Sequence, residues 1–326
     1  MDRTEVQGNR TWNWFLTRCT VDAQPCLRLV AAFAAIYLIW GSTYLAIRFA
    51  IESIPPFLMA GTRFLIAGGL LYAWTRLRGA PRPKRIHWRE AAIIGGLMLL
   101  GGNGAVTWAE QRIPSGLAAL LIAAVPMWIV LLEALRPGGA RPSVWTVVGL
   151  AMGLAGVALL IGPGNLGGGQ HVDLVGALVI LIGALAWAIG SLYSRQAQLP
   201  SVSLQGVALE MLAGGLLLVL AGGITGEVAR LDVGNVSPRS LMAMAYLIVF
   251  GSIIAFTAYV WLLRATTPAR ASTYAYVNPV VAVLLGWALA NEPLTVQTLI
   301  SAAVIVSAVA IITTARPAGL KRDKSP

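Results

Sequence analysis

Trp40-Gly-Ser-Thr-Tyr-Leu-Ala-Ile-Arg48 has a counterpart in Trp187-Ala-Ile-Gly-Ser-Leu-Tyr-Ser-Arg195, 147 residues further on (187 against 40). Both stretches begin on tryptophan, carry Ser and Tyr among apolar residues, and end on arginine. Two more matches follow in order. Ala67-Gly-Gly-Leu-Leu71 pairs with Ala213-Gly-Gly-Leu-Leu217, and Val125-Pro126 with Asn278-Pro279, at offsets of 146 and 153. Apolar segments align easily by chance, so no single match decides anything. Three in order at nearly one offset divide the chain into two related halves.

Each half reads as five membrane spans. The 326 residues are 57% hydrophobic and 11% charged, where a soluble chain carries about a quarter charged. Apolar runs of about 18 residues or more are long enough, at about 1.5 Å per residue, to cross the hydrocarbon layer. They fall near 29–48, 57–76, 90–109, 115–135, 143–162, 174–194, 202–222, 240–263, 270–290 and 295–315. Backbone groups in lipid must pair within their own segment, so each run is expected to be a helix. An odd number of spans per half starts the second half on the opposite side. The expected fold class is therefore an all-α integral membrane protein of ten transmembrane helices in two inverted five-helix repeats. The expected division is a cytoplasmic tail (1–28), a first repeat (29–162), a second repeat (174–315) and a cytoplasmic C-terminal tail (316–326). Inverted repeats are characteristic of secondary transporters with a midplane site between the halves.

Lys and Arg fix the expected orientation. With the N-terminus inside, nineteen of the 24 fall on the inner side and four (Arg48, Arg112, Arg230, Arg239) on the outer, with Arg63 inside a span. Short loops obey this bias, so both termini are expected on the cytoplasmic side. The formal charge of +11 is explained by these loops, and no globular region offers a nucleic-acid surface. The lipid bilayer and a small molecule are the expected partners. Cys19 and Cys26 sit in the tail, and no metal-ligand spacing or cofactor motif is present.

These residues resemble the ten-span EamA-type transporters of the drug/metabolite transporter superfamily, and within it the YedA-like exporters. The resemblance rests on Trp40-Gly41-Ser42, Arg63-Phe-Leu-Ile-Ala67, Pro126, Asn278-Pro279 and Asn291-Glu292-Pro293, and covers residues 31–315. It implies the drug/metabolite transporter fold, a central cavity lined by spans 1, 3, 4, 6, 8 and 9, and export of small metabolites, amino acids or related compounds, or drugs. One departure stands out: a polar residue precedes the proline at Asn278 but not at Val125.

The buried polar and aromatic residues are the expected binding set. Trp40, Ser42, Thr43, Tyr44, Asn103, Trp108, Trp187, Tyr259, Tyr276 and Asn278 suit an organic ligand, since apolar-aromatic walls with a few fixed polar groups define such sites. The alternative for each is a hydrogen bond between helices. Pro126 and Pro279 remove backbone hydrogen bonds inside helices and are expected hinges. Glu210 lies eight residues into its span, where a charge costs a few kcal/mol; it is the candidate for proton coupling. Arg63 is read either as a structural anchor or as a charge that steers anionic groups. Glu110 and Glu133 are expected at the interface, and Glu292 as a cap for the last span. The Gly149-x-x-x-Gly153 motif allows a close approach within the bundle or across a dimer.

Other classes fit less well. Gly162-Pro-Gly-Asn-Leu-Gly-Gly-Gly169 lacks the Lys-Ser/Thr of a phosphate-binding loop. A membrane enzyme would want clustered titratable residues, whereas the two histidines, His87 and His171, fall on opposite faces. A facilitative channel is the remaining alternative.

Overall fold

The computed structural model describes residues 23–135, 143–161, 173–266, 271–272 and 274–314. Expectations placed on residues 1–22, on the glycine-rich loop at 162–172 and on residues from 315 onward lie outside the described residues. Among the described residues every regular element is helical. The long helices are α1 (Ala23–Ala50), α2 (Pro56–Leu77), α3 (Arg85–Ala109), α4 (Ser115–Leu135), α5 (Val144–Ile161), α6 (Leu174–Ser194), α7 (Ser203–Ile224), α8 (Pro238–Ala265), α9 (Tyr274–Ala290) and α10 (Val296–Thr314). Seven of them, α1–α4 and α6–α8, are long and apolar enough to cross a membrane. The other three contribute shorter apolar stretches, Val144–Gly153, Val277–Ala290 and Val296–Ala308.

Their surfaces fit lipid. Leu70, Trp74 and Leu77 on α2, Leu178 and Ile182 on α6, and Leu216 and Leu220 on α7 are exposed at helical spacing. Water would penalise such stripes, while hydrocarbon does not. Helix starts are set by local chemistry. Pro56 opens α2 and Pro238 opens α8, where the missing N–H is not needed. Asp173 caps α6 by accepting from Val175 N at 2.9 Å and Gly176 N at 3.3 Å. Its carboxyl also receives Arg112 Nη1 at 3.1 Å, and that hydrogen bond, with the two cap bonds, holds it below the usual aspartate range.

Two helices depart from regular α geometry in a way the sequence did not announce. α3 widens to a π-helix over Gly95–Gly104, and α8 over Leu247–Phe256. The two segments are equal in length and 152 residues apart (247 against 95). α4 breaks at Ala123–Ala124, between Ser115–Ile122 and Val125–Leu135. Against the expectation of an interior position, Pro126 thus sits in the first turn of the second segment, where its ring is tolerated. Pro279 does lie within α9.

Glycine permits the closest packing. A β-carbon on Gly61 of α2 would fall 2.9 Å from the Gly215 carbonyl of α7, so these backbones touch. α5 lies along α10, α1 along α9, α4 along α6, α3 against α6 and α7, and α8 against α1 and α2. Gly153 packs inside the bundle, where a β-carbon would meet Met127 of α4 and Ala308 of α10.

One end of the bundle is tied by polar contacts. Arg239 pairs with Glu52 at 3.4 Å, Ser237 N donates to Ser53 Oγ at 3.0 Å, and Ser240 Oγ donates to the Phe49 carbonyl at 2.8 Å. Glu227, 1% exposed, accepts from Leu58 N at 2.9 Å and Phe57 N at 3.3 Å. At the other end, Tyr193 donates to Glu90 at 2.6 Å and Gln205 to the Pro81 carbonyl at 2.9 Å.

Glu292 corrects the sequence reading. It caps α4, not α10, accepting from Ser115 N at 2.9 Å, Ser115 Oγ at 2.7 Å and Gly116 N at 3.2 Å. The left-handed Asn291 (φ 54°) turns the chain back, and Glu292 N bonds the Gly286 carbonyl at 3.1 Å. Charged acceptors on backbone donors are each worth about 1.5–3 kcal/mol. Glu292→Ala is expected to lower unfolding free energy by about 2–3 kcal/mol, and Glu292→Gln by less, read from thermal midpoints in micelles. Equal midpoints for wild type and Glu292→Ala would remove this cap from the account. Glu110 is fully buried at the end of α3, where Arg48 Nη1 of α1 donates to its carbonyl at 2.6 Å.

Candidate functional site

A cavity of about 70 Å³ opens between α1, α2, α3, α4, α6, α8 and α9. Its wall is aromatic. Trp40 meets Trp187 edge-on with ring centres 5.7 Å apart, and Tyr274 edge-on at 5.2 Å. Tyr259 lies behind them, 5.0 Å from Trp40 and 5.6 Å from Tyr274. Such tilted and edge-to-face pairs add about 0.5–1.5 kcal/mol each beyond area. Four rings from α1, α6, α8 and α9 therefore form one rigid block.

The two π segments border this block. The indole of Trp40 donates to the Gly251 carbonyl of α8 at 3.2 Å. Trp187 lies against Gly102 of α3, where an added β-carbon would fall 2.8 Å from the indole ring. Gly102 and Gly251 are 149 residues apart (251 against 102), close to the offset of the two tryptophans. Each tryptophan thus lies against a glycine in the π segment of the other half. Wide π turns recur at functional sites because they expose backbone that a regular helix conceals.

Of the expected binding residues, Trp40, Thr43, Tyr44, Asn103 and Trp187 line the cavity. Thr43 Oγ1 is already bonded to the Trp40 carbonyl at 2.7 Å. The others are placed elsewhere. Ser42 bonds the Ile39 carbonyl at 2.8 Å and lies 2.6 Å from the Tyr246 hydroxyl. Trp108 stacks under Arg112 at 4.6 Å, since a helix turn past Asn103 it has left the cavity. Tyr259 is fully buried and braces the wall by bonds to Ser191 at 3.0 Å and Trp187 at 3.3 Å. Asn278 is 2% exposed and away from the lining, and the side chain of Tyr276 lies outside the described residues. Glu210 is fully buried with neither carboxylate oxygen hydrogen-bonded; it does not line the cavity.

Two lining residues carry more weight than their place in the sequence suggests. Tyr274 completes the aromatic wall. Arg63, 3% exposed, reaches the cavity from α2 and donates through Nη2 to Asn103 Oδ1 at 2.8 Å. The signal for Arg63 was present, a charge within an apolar run. Its direction was not, because helix phase against α3 is a tertiary property.

Comparison with known proteins settles the family. The model of the EamA-like transporter family matches residues 28–162 and again 174–314. The chain belongs to the EamA-like transporter family. It is 46% identical over 288 residues to the uncharacterised inner membrane transporter YedA of Escherichia coli strain K12, covering 88% of this chain and 91% of that one. The uncharacterised transporter YvbV of Bacillus subtilis strain 168 is 26% identical over 295 residues, covering 89% and 93%. A crystal structure aligns with this EamA-like chain at a TM-score of 0.62 and 25% identity, over 88% of this chain and 97% of its own. The protein is a membrane transporter by family.

Proposed function

We propose that this protein is a secondary carrier that exports small organic molecules across a bacterial inner membrane by alternating access. Its two matched stretches form inverted five-helix repeats, and the cavity between them is the shared binding site. The observation that carries this reading is the exchange at the cavity: Trp40 on Gly251 and Trp187 on Gly102. Exchanged contacts of this kind are what a two-fold axis between the halves produces, and five spans per half, an odd number, put that axis in the membrane plane. The packing agrees, since α1 with α9 and α6 with α4, or α3 with α6 and α8 with α1, are the same contacts with the halves swapped. Amino acids, aromatic ones included, and amphiphilic drugs fit the wall chemistry.

With both termini cytoplasmic, the polar-tied end is external. The ties of Glu52, Ser53, Glu227 and Glu292 then hold the outer side together, as Tyr193 with Glu90 and Gln205 with Pro81 join helices at the inner side, through which substrate enters. Breaking these ties while closing the inner end delivers it outward. Pro279 within α9 and Pro126 after the break in α4 serve as the bending points.

Glu210 is the coupling candidate. A charge at mid-membrane costs a few kcal/mol, and here no hydrogen bond offsets it. The test is flux of radiolabelled amino acids, carboxylic acids and amphiphilic cations through proteoliposomes, with and without a pH gradient. The reading expects saturable counterflow for at least one compound, acceleration by the gradient, and loss of that acceleration in Glu210→Gln. It expects slower exchange in a Pro126→Ala/Pro279→Ala double variant. Flux that never saturates would make the protein a channel, and unchanged gradient dependence in Glu210→Gln would move coupling elsewhere.

A further inference from the structure

We infer that Arg63 is the recognition point for a carboxylate on the transported molecule, with the aromatic wall taking the apolar body. The inference rests on the carrier reading for how the ligand leaves, not for how it binds.

Arg63 is the residue whose environment is least complete. A guanidinium stays charged in proteins and carries five N–H donors. This one lies about 10 Å into α2, by the rise of a helix, and is 3% exposed. It has one hydrogen bond, to the neutral amide of Asn103. Nε and Nη1, which carry three of the five donors, are buried with no hydrogen-bond partner. Among the described residues it has no ion pair within 4.0 Å, and its closest cation contact is the adjacent Phe64 ring at 4.4 Å. A buried, unpaired charge costs several kcal/mol, so the bundle holds an unmet need for an anion beside the cavity.

Glu110 does not meet that need. It is near enough to act on Arg63 through space, but both of its oxygens lack a partner. Glu292 is committed to the start of α4 and Arg48 to the Glu110 carbonyl. Three other polar groups of the cavity are already used: Trp40 bonds Gly251, Trp187 bonds Tyr259, and Thr43 bonds its own helix. The charged donors left for a ligand are those of Arg63, with the neutral Asn103 amide and Tyr44 hydroxyl beside them in the lining. Carboxylate geometry suits a guanidinium, and charge-assisted bonds are about twice as strong as neutral ones. No carboxylate side chain lines the cavity, so an ammonium group would find only ring faces. A singly charged acid is therefore favoured over its amide and over an amine.

The experiment is calorimetric titration of the purified full chain in nanodiscs with benzoate, benzamide and benzylamine, which are nearly equal in shape. Benzoate is expected to bind at least about ten-fold more tightly than the other two, which is what about 1.4 kcal/mol of differential interaction gives. Arg63→Lys should keep part of that preference, and Arg63→Gln should bind benzoate and benzamide alike. Equal or tighter binding of benzamide or benzylamine, no binding of any of the three, or an undiminished acid preference in folded Arg63→Gln each overturns the proposal. If Arg63→Gln does not fold, the wild-type comparison decides alone. Saturable counterflow of benzylamine with no benzoate binding would sink this inference and leave the carrier standing. Benzoate binding with no flux of any compound would do the reverse.

Discussion

A leucine side chain on Gly95 is expected to stop the protein from folding. A β-carbon at Gly95 would fall 2.6 Å from the Glu210 carbonyl and 2.7 Å from Gly214 N, both backbone atoms of α7. Gly214 faces the same contact from the other side, its β-carbon position lying 2.9 Å from the Gly95 carbonyl. Backbone cannot rotate aside as a side chain can. Overpacked cores lose about 1–3 kcal/mol when side chains absorb the strain, and more when they cannot. Gly95→Leu should therefore give no monodisperse protein on size-exclusion chromatography, and Gly95→Ala should give a lower melting temperature. Because Gly95 opens the π segment of α3, the same contact sets the phase at which Asn103 meets Arg63. A Gly95→Leu protein as stable as wild type would mean that α3 and α7 do not touch here.

The second large effect is expected at Trp40. Its ring touches Trp187, Tyr259 and Tyr274, and its N–H holds the Gly251 carbonyl. Removing a packed tryptophan costs about 3–5 kcal/mol in stability. In a membrane bundle much of that is lost contact between helices rather than transfer from water. Trp40→Ala should lower the melting temperature in micelles and abolish flux of aromatic compounds. Trp40→Phe keeps a ring and loses only the donor, a difference of about 1 kcal/mol, and should retain most stability. The converse result, flux intact in Trp40→Ala, would place the binding site away from this wall.

Local chemistry made the elements readable and long-range contact made the site hard to read. Apolar runs bounded by Arg and Pro gave the outer bounds of α4 and α6 to the residue, since the hydrocarbon width and, for α6, the Asp173 cap are written locally. The pairing of Trp40 with Trp187 was visible as a repeat, and the two rings do meet. The π segments were not visible, because Gly95–Gly104 and Leu247–Phe256 have compositions that an α-helix also accepts. Glu292 was misread because its partners, Ser115 and Gly116, are far away in the chain. Trp108 and Asn103 belong to one apolar run, yet only Asn103 faces the cavity. Sequence gives the helix; the rotation of that helix is set by which glycines let its neighbours approach.

Alternating access is the central claim, and a reversible lock tests it most directly. Ser53 Oγ lies 3.0 Å from Ser237 N, so standard bond lengths put the two α-carbons within about 7 Å of each other, at the limit of what a disulfide spans. The measurement is counterflow in proteoliposomes of a Ser53→Cys/Ser237→Cys variant in a Cys19→Ser/Cys26→Ser background, before oxidation, after it, and after reduction. Holding the outer end shut should abolish flux, and reduction should restore it. Undiminished flux through protein shown to be fully cross-linked would contradict the account.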